Sequence, residues 1–223
     1  MGRAARVDVG NHAYHVLNRA VGRMRIFTQP SEYEIFESLL YDAVEMMEMP
    51  LLSYSLMPNH WHLELYPKKD GDVGEFMHWL TNTHTRRVHS YTNTIGTGPL
   101  YQGRYKSFLI QEDEHLLTVL KYIERNPVRA RLAKRPENWR WGSAWIRQHG
   151  TVKQKRMLAD SPVPLPRCYH AWINEPDKED DLINIRGSAN RGAPYGSGNW
   201  VENMITQHDL LATVRKPGRP AGT

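Results

Sequence analysis

Cysteine is nearly absent: Cys168 is the single one among 223 residues. One thiol cannot make an internal disulfide framework, and a cysteine-based zinc finger needs more. The expectation is a reducing, cytoplasmic setting. No apolar run approaches the roughly 18 residues that cross a membrane, so no membrane partner is expected. The first ten residues carry arginines without an apolar stretch behind them, which argues against a secretory signal. No internal repeat is visible.

What is present suits a globular chain on the polar side, with 40% hydrophobic and 24% charged residues. The length fits one domain, or one domain with a substantial tail. Net charge is +5, and it is unevenly spread. Residues 101–156 hold thirteen Lys/Arg against five Asp/Glu, whereas residues 32–48 hold six acids and no base. A molecule with one basic and one acidic side can orient on a polyanion. A mixed, solvated surface is the other reading.

Hydrophobic periodicity orders the first two thirds of the chain. Residues 11–19 read as a strand. Pro30 and Ser31 open a helix whose Phe36, Leu39, Leu40, Ala43 and Met47 recur at helical spacing, and Pro50 closes it. Residues 51–57 and 60–66 read as strands around a Pro58-Asn59 turn, an antiparallel hairpin. A helix is expected from Val73 to about Tyr91, a strand over 104–110, and a helix from Asp113 to about Asn126, where Pro127 ends or kinks it. This order predicts an α+β class: a ferredoxin-like antiparallel sheet with packed helices. From Asp160 the texture changes to a proline linker, an acidic stretch and a glycine-rich one, with one short helix over 200–211 and a basic end.

Two places carry chemistry. His60 and His62 are two apart in a strand and leave the same face. Neutral imidazoles so placed can grip a divalent ion, or they can be two ordinary surface histidines. On the helix after Asp113, Leu116, Val119, Leu120 and Ile123 form the core stripe. Tyr122 and Asn126 stand on its flank, about 40° apart at 100° per residue, with His115 nearby. Asn126 can offer an oxygen to an ion or cap the helix. Tyr122 can pack or attack. Its phenol, with pKa about 10, needs a basic neighbour or a cationic field to act as a nucleophile. A phosphotyrosine linkage can be attacked again by a DNA hydroxyl, so a strand can be broken and rejoined without ATP.

The run Met57-Pro58-Asn59-His60-Trp61-His62, followed by Tyr122-Ile123-Glu124-Arg125-Asn126-Pro127-Val128-Arg129-Ala130, resembles the single-tyrosine HUH transposases. It is most similar to their REP-associated tyrosine transposase branch. Tyr14-His15-Val16-Leu17-Asn18-Arg19 and Tyr101-Gln102-Gly103-Arg104-Tyr105-Lys106-Ser107 add to the likeness. It implies an HUH endonuclease domain over residues 1–155, then a linker and basic DNA-binding tail over 156–223. His60, His62 and Asn126 would hold Mg²⁺ or Mn²⁺, and Tyr122 would be the nucleophile. The family cuts single-stranded DNA beside hairpins, leaving a 5′-phosphotyrosine and a 3′-hydroxyl; this branch acts on repetitive palindromes. Monomer and homodimer both fit.

Candidate phosphate contacts are Arg19, Arg23, Arg25, Arg86, Arg87, Arg104, Lys106, Arg125 and Arg129. Trp139, Trp141 and Trp145 either stack bases or pack against the sheet. Arg219, in Pro217-Gly218-Arg219-Pro220, is similar to a minor-groove arginine or belongs to a plain basic tail. Two further readings compete with the nuclease. One is a domesticated protein that binds palindromic repeats with little cleavage. The other is a cupin-like metalloenzyme using His60, His62 and Glu64.

Overall fold

The computed structural model describes residues 6–214; Arg219 lies outside them. Four strands, β1 (Ala13–Arg19), β2 (Leu51–Met57), β3 (His60–Leu65) and β4 (Lys106–Ile110), form one antiparallel sheet in the order β2-β3-β1-β4. With the long helices this is the expected α+β arrangement, and not the nearly all-strand cupin.

Helix α1 (Pro30–Met46) begins where proline costs nothing, at a position whose N–H has no partner in the helix. Gln29 and Glu32 close a capping box around that start. The helix buries Tyr33, Phe36, Leu39, Leu40 and Ala43. Helix α2 (Asp72–Tyr91) is capped from a distance. The Asp8 carboxylate accepts from the Val73 and Gly74 N–H groups at 3.2 and 2.7 Å. We expect Asp8→Ala to lower stability by about 1 kcal/mol, read as a shift of the urea midpoint. Helices α1 and α2 cover one sheet face, where Phe36, Leu40, Phe76 and Leu80 pack on Tyr14, Val16, Trp61 and Leu63.

The opposite face receives α3 (Glu114–Glu124), whose Leu116, Val119 and Ile123 pack on Ala13, Leu52, Phe108 and Ile110. Asp113 caps it by accepting the His115 N–H at 2.8 Å. Pro127 acts as expected: α3 stops at Glu124, and α4 (Asn126–Arg129) is a separate turn. Helix α5 (Ser143–His149) follows, then α6 (Val152–Lys155). Trp139, Trp141 and Trp145 pack against the first core, with Trp141 stacked on Tyr33 at 4.7 Å.

The part expected as linker and tail is, where described, largely helical: α7 (Tyr169–Asn174), α8 (Glu179–Arg191), α9 (Gly198–Gln207) and α10 (Leu211–Val214). The acidic stretch starts α8, because Glu179, Asp180 and Asp181 complement the positive end of the helix. Gly192 then ends it in a left-handed conformation, φ 74°. Leu182 and Ile185 of α8 join the second core. Tyr195 runs beside β4, donating its N–H to Leu109 and accepting from Gln111. Gly196 must be glycine here, since a Cβ would meet the Trp200 ring at 2.5 Å and Gln111 at 2.7 Å. Among the described residues, no helix is long and apolar enough to cross a membrane.

Candidate active site

Strand pairing gathers the chemistry on the α3 side of the sheet. His60, His62 and Glu64 leave β3 on that face. Arg19, Leu17 and His15 of β1 lie opposite them in that order. His15, His62 and Glu64 are buried. Glu64 accepts from Ser53 Oγ at 2.8 Å. Burial pushes its carboxyl up to about 8, so with no cation beside it the group is mostly a neutral acid at neutral pH.

Hydrogen bonds assign the His60 tautomer. Gly22 and Arg23 are both left-handed, at φ 59° and 58°. The Arg23 carbonyl accepts from Asn59 Nδ2 at 3.2 Å. That fixes the amide, so Asn59 Oδ1 faces His60 Nδ1 at 2.6 Å. A carbonyl oxygen can only accept, so His60 carries its proton on Nδ1 and keeps a lone pair on Nε2. His62 Nδ1 meets His15 Nε2 at 2.8 Å. All three imidazoles are held neutral. Burial, then Arg19, lowers His60 to about 4; burial, then Arg129, lowers His15 to about 3. His62 is pushed well below the usual range, by burial first and then by the neighbouring imidazoles.

Tyr122 comes from α3 of the same chain. Its ring centroid is 5.9 Å from that of His15 and 6.0 Å from that of His62, edge to face in both cases. The Arg129 guanidinium lies over the phenol ring, 4.2 Å from its centroid, and donates to the Tyr122 carbonyl. Asp177 pins that arrangement, accepting from Arg125 Nε at 2.9 Å and from Arg129 Nη1 at 3.0 Å. Just past Tyr122, the buried Glu124 accepts from Ser143, Arg147 and Tyr169, tying α3 to α5 and α7. Tyr122 also lines a groove of about 740 Å³ under α7 and α8, shared with Glu114, His115, Glu175, Asp177 and Asp181. His115 is engaged by Asp113 at 2.7 Å.

The proposed phosphate contacts divide. Arg19, Arg104 and Lys106 line one hollow of about 280 Å³ with Leu17, Gln102 and Asn190, on the imidazole side. Lys106 Nζ donates to Asn190 at 3.3 Å. Arg23 and Arg25 are exposed beside the Pro58-Asn59 turn. Arg86 and Arg87 are exposed on α2, which packs on the other sheet face. Arg125 and Arg129 turn inward to Asp177, because α7 and α8 fold back over α3. Charge alone did not reveal that partner some fifty residues downstream. His15 was also missed as a site residue; strand alternation puts it on the face of Leu17 and Arg19, but only the β1–β3 register puts that face beside His62.

Two neutral imidazoles suit a divalent transition ion. Among the described residues, no three His, Cys, Asp or Glu side chains are grouped to hold an ion by themselves. An ion on His60 and His62 would therefore need oxygen from an amide, water or phosphate. Asn126 carries its amide at the start of α4, four residues after Tyr122, and its Nδ2 is buried with no hydrogen-bond partner. An unpartnered buried N–H donor is costly, and a phosphate oxygen could accept from it, whereas a cation could not. The donor set fits.

The solved structure of a REP-associated tyrosine transposase bound to a REP hairpin superposes with a TM-score of 0.54 at 13% identity, over 69% of this chain and 90% of that one. At that identity the likeness speaks to the fold. A structure named for a transposase of Deinococcus radiodurans R1 aligns at 19% identity with a TM-score of 0.39, over 56% of this chain and 95% of that one. No curated protein matches the sequence. Residues 8–126, just over half the chain, match the family described as "Transposase IS200 like". That span opens before β1, takes in the imidazole pair and Tyr122, and ends on Asn126; the chain belongs to the IS200-like transposase family.

Proposed function

We propose that this transposase cuts and rejoins single-stranded DNA beside hairpins of repetitive palindromes through a 5′-phosphotyrosine on Tyr122. A divalent ion, Mg²⁺ or Mn²⁺, is held by His60, His62 and Asn126. One observation carries the reading: the Tyr122 ring sits 6.0 Å from the His62 ring within one chain. The REP hairpin bound by the structural neighbour supports the choice of substrate.

Bound there, the ion would polarise a non-bridging oxygen of the scissile phosphate. Tyr122 Oη forms the new bond to phosphorus as the bond to the 3′ oxygen breaks. The phenol gives up one proton and the leaving 3′-hydroxyl takes one up, so the step is proton-neutral. The Arg129 guanidinium, paired with Asp177, lies over the phenol ring. A cation over the ring is attracted to its π face, and more strongly once the ring carries a phenolate charge. Arg19, Arg104 and Lys106 offer a basic approach for the strand on the imidazole side. The groove beneath α7 and α8 is of mixed charge: Glu114 and Asp181 stand beside Lys178, while Glu175 is paired with Lys121 and Asp177 with Arg125 and Arg129.

The test uses a hairpin with single-stranded flanks, labelled at its 3′ end, incubated with the protein and Mn²⁺ and run on a denaturing gel. The label is expected to migrate with the protein. EDTA or His60→Ala should reduce the adduct at least about 100-fold. Cutting that survives EDTA would remove the ion from the proposal. Tight binding with no adduct would leave a palindrome-binding protein.

A further inference from the structure

His15 is fully buried in the middle of the sheet, where Ala13 and Phe108 are its apolar neighbours on the same face. An aliphatic side chain would fill such a position without polar atoms to satisfy. The imidazole there makes one hydrogen bond, from Nε2 to His62 Nδ1 at 2.8 Å, and its Nδ1 is buried without a partner. The two rings are nearly coplanar, 11° apart, so the bond lies in the plane of both. Phe108 closes the edge of His15 at 5.0 Å, which locks the ring's orientation.

Two neutral imidazoles joined by one hydrogen bond have two proton arrangements. In one, His15 Nε2–H donates, and His62 carries its single N–H proton on Nε2. In the other, His62 Nδ1–H donates to the His15 Nε2 lone pair, and His15 keeps its proton on Nδ1. Exchange between them passes one proton across the bond and moves the other from His62 Nε2 to His15 Nδ1, so two protons are conserved. Only the second arrangement leaves a lone pair on His62 Nε2.

We infer that His15 is a positioning residue for the metal site: it accepts the His62 Nδ1 proton, orients the ring, and so makes His62 Nε2 a ligand. Asn59 does the same for His60 through a carbonyl oxygen that can only accept. The two supports are not equivalent. Asn59 holds His60 in one state, whereas the His15–His62 pair has two, and a cation selects between them. His15 is not offered to the ion through Nε2, which His62 already occupies. The inference deepens the metal reading above and rests on it.

Binding of Mn²⁺ to the full chain without DNA, followed by the electron paramagnetic resonance of free Mn²⁺, reads the site independently of cleavage. His15→Leu removes the acceptor and should weaken Mn²⁺ binding about 10- to 100-fold. His15→Gln restores an acceptor oxygen and should recover most of that loss. In ¹⁵N spectra of the unaltered protein with diamagnetic Zn²⁺ bound, the shared proton should sit on His62 Nδ1, coupled to an unprotonated His15 Nε2. These spectra decide the matter even if His15→Leu does not fold. A proton on His15 Nε2 in the Zn²⁺ form overturns the inference, as does wild-type Mn²⁺ affinity in a folded His15→Leu. Equal Mn²⁺ affinity in the unaltered protein and His60→Ala would instead bring down the metal reading itself, and this inference with it.

Discussion

Tyr122→Phe is expected to bind the labelled hairpin within about threefold of the unaltered protein and to give no covalent adduct. The substitution removes one oxygen and little else. The ring stays beneath the Arg129 guanidinium, whose attraction is to the π face and not to the hydroxyl. Packing beside His15 and His62 is through ring edges and faces, which phenylalanine reproduces. The chain should therefore fold as before. What disappears is the nucleophile, and with it a bond that no phenyl ring can make. Loss of a covalent nucleophile commonly costs a factor of about 10⁴ or more, down to whatever water achieves in the same site. Two measurements on one preparation check this: a filter-binding curve, and a denaturing gel after prolonged incubation with Mn²⁺. An adduct surviving the change would move the nucleophile elsewhere. A collapse of binding would show that the phenol's place is structural.

The parts of this arrangement differ in how far the sequence alone exposes them. The hairpin that carries His60 and His62 is legible because Pro58 and Asn59 mark its turn and period-2 alternation marks its faces. Helix α3 is legible from the spacing of Leu116, Val119, Leu120 and Ile123, and its end from Pro127. These signals are local. The role of His15 is not, since it depends on which residue of β1 lies opposite which residue of β3. The fates of Arg125 and Arg129 are further from reach. Both read as surface cations in a basic segment, and only the return of α7 and α8 brings Asp177 onto them. That return was hidden because α8 spends few apolar residues on it. Leu182 and Ile185 carry the burial, among acids and glycines that read as loop.

The imidazole cluster sets the second large effect, a steep loss of stability in acid. Three buried histidines, His15, His62 and His84, and the half-buried His60 resist protonation in the folded chain. Burial lowers His15 and His84 to about 3 and His60 to about 4, and pushes His62 well below the ordinary value near 6.5. In the unfolded chain each takes up a proton near pH 6.5. Between there and about pH 4 the unfolded state binds more protons, so stability falls as pH falls. Glu64 works the other way. Its carboxyl titrates at about 8 when folded, so from pH 8 down to about 4.5 the folded state holds the extra proton. Alone above pH 7, it makes acidification mildly stabilising. Below 6.5 four imidazoles outweigh one carboxyl by roughly three protons, a slope of about 4 kcal/mol per pH unit near pH 5.5. Stability should thus peak near pH 6.5 to 7, and a domain of ordinary stability should unfold within about two units below it. Urea melts at half-unit steps from pH 8 to pH 5 give the curve directly. His15→Gln should flatten its acid limb by about one proton. A midpoint unchanged between pH 7 and pH 5 would mean that these rings are charged in the folded chain, and charged rings could not take up a divalent ion.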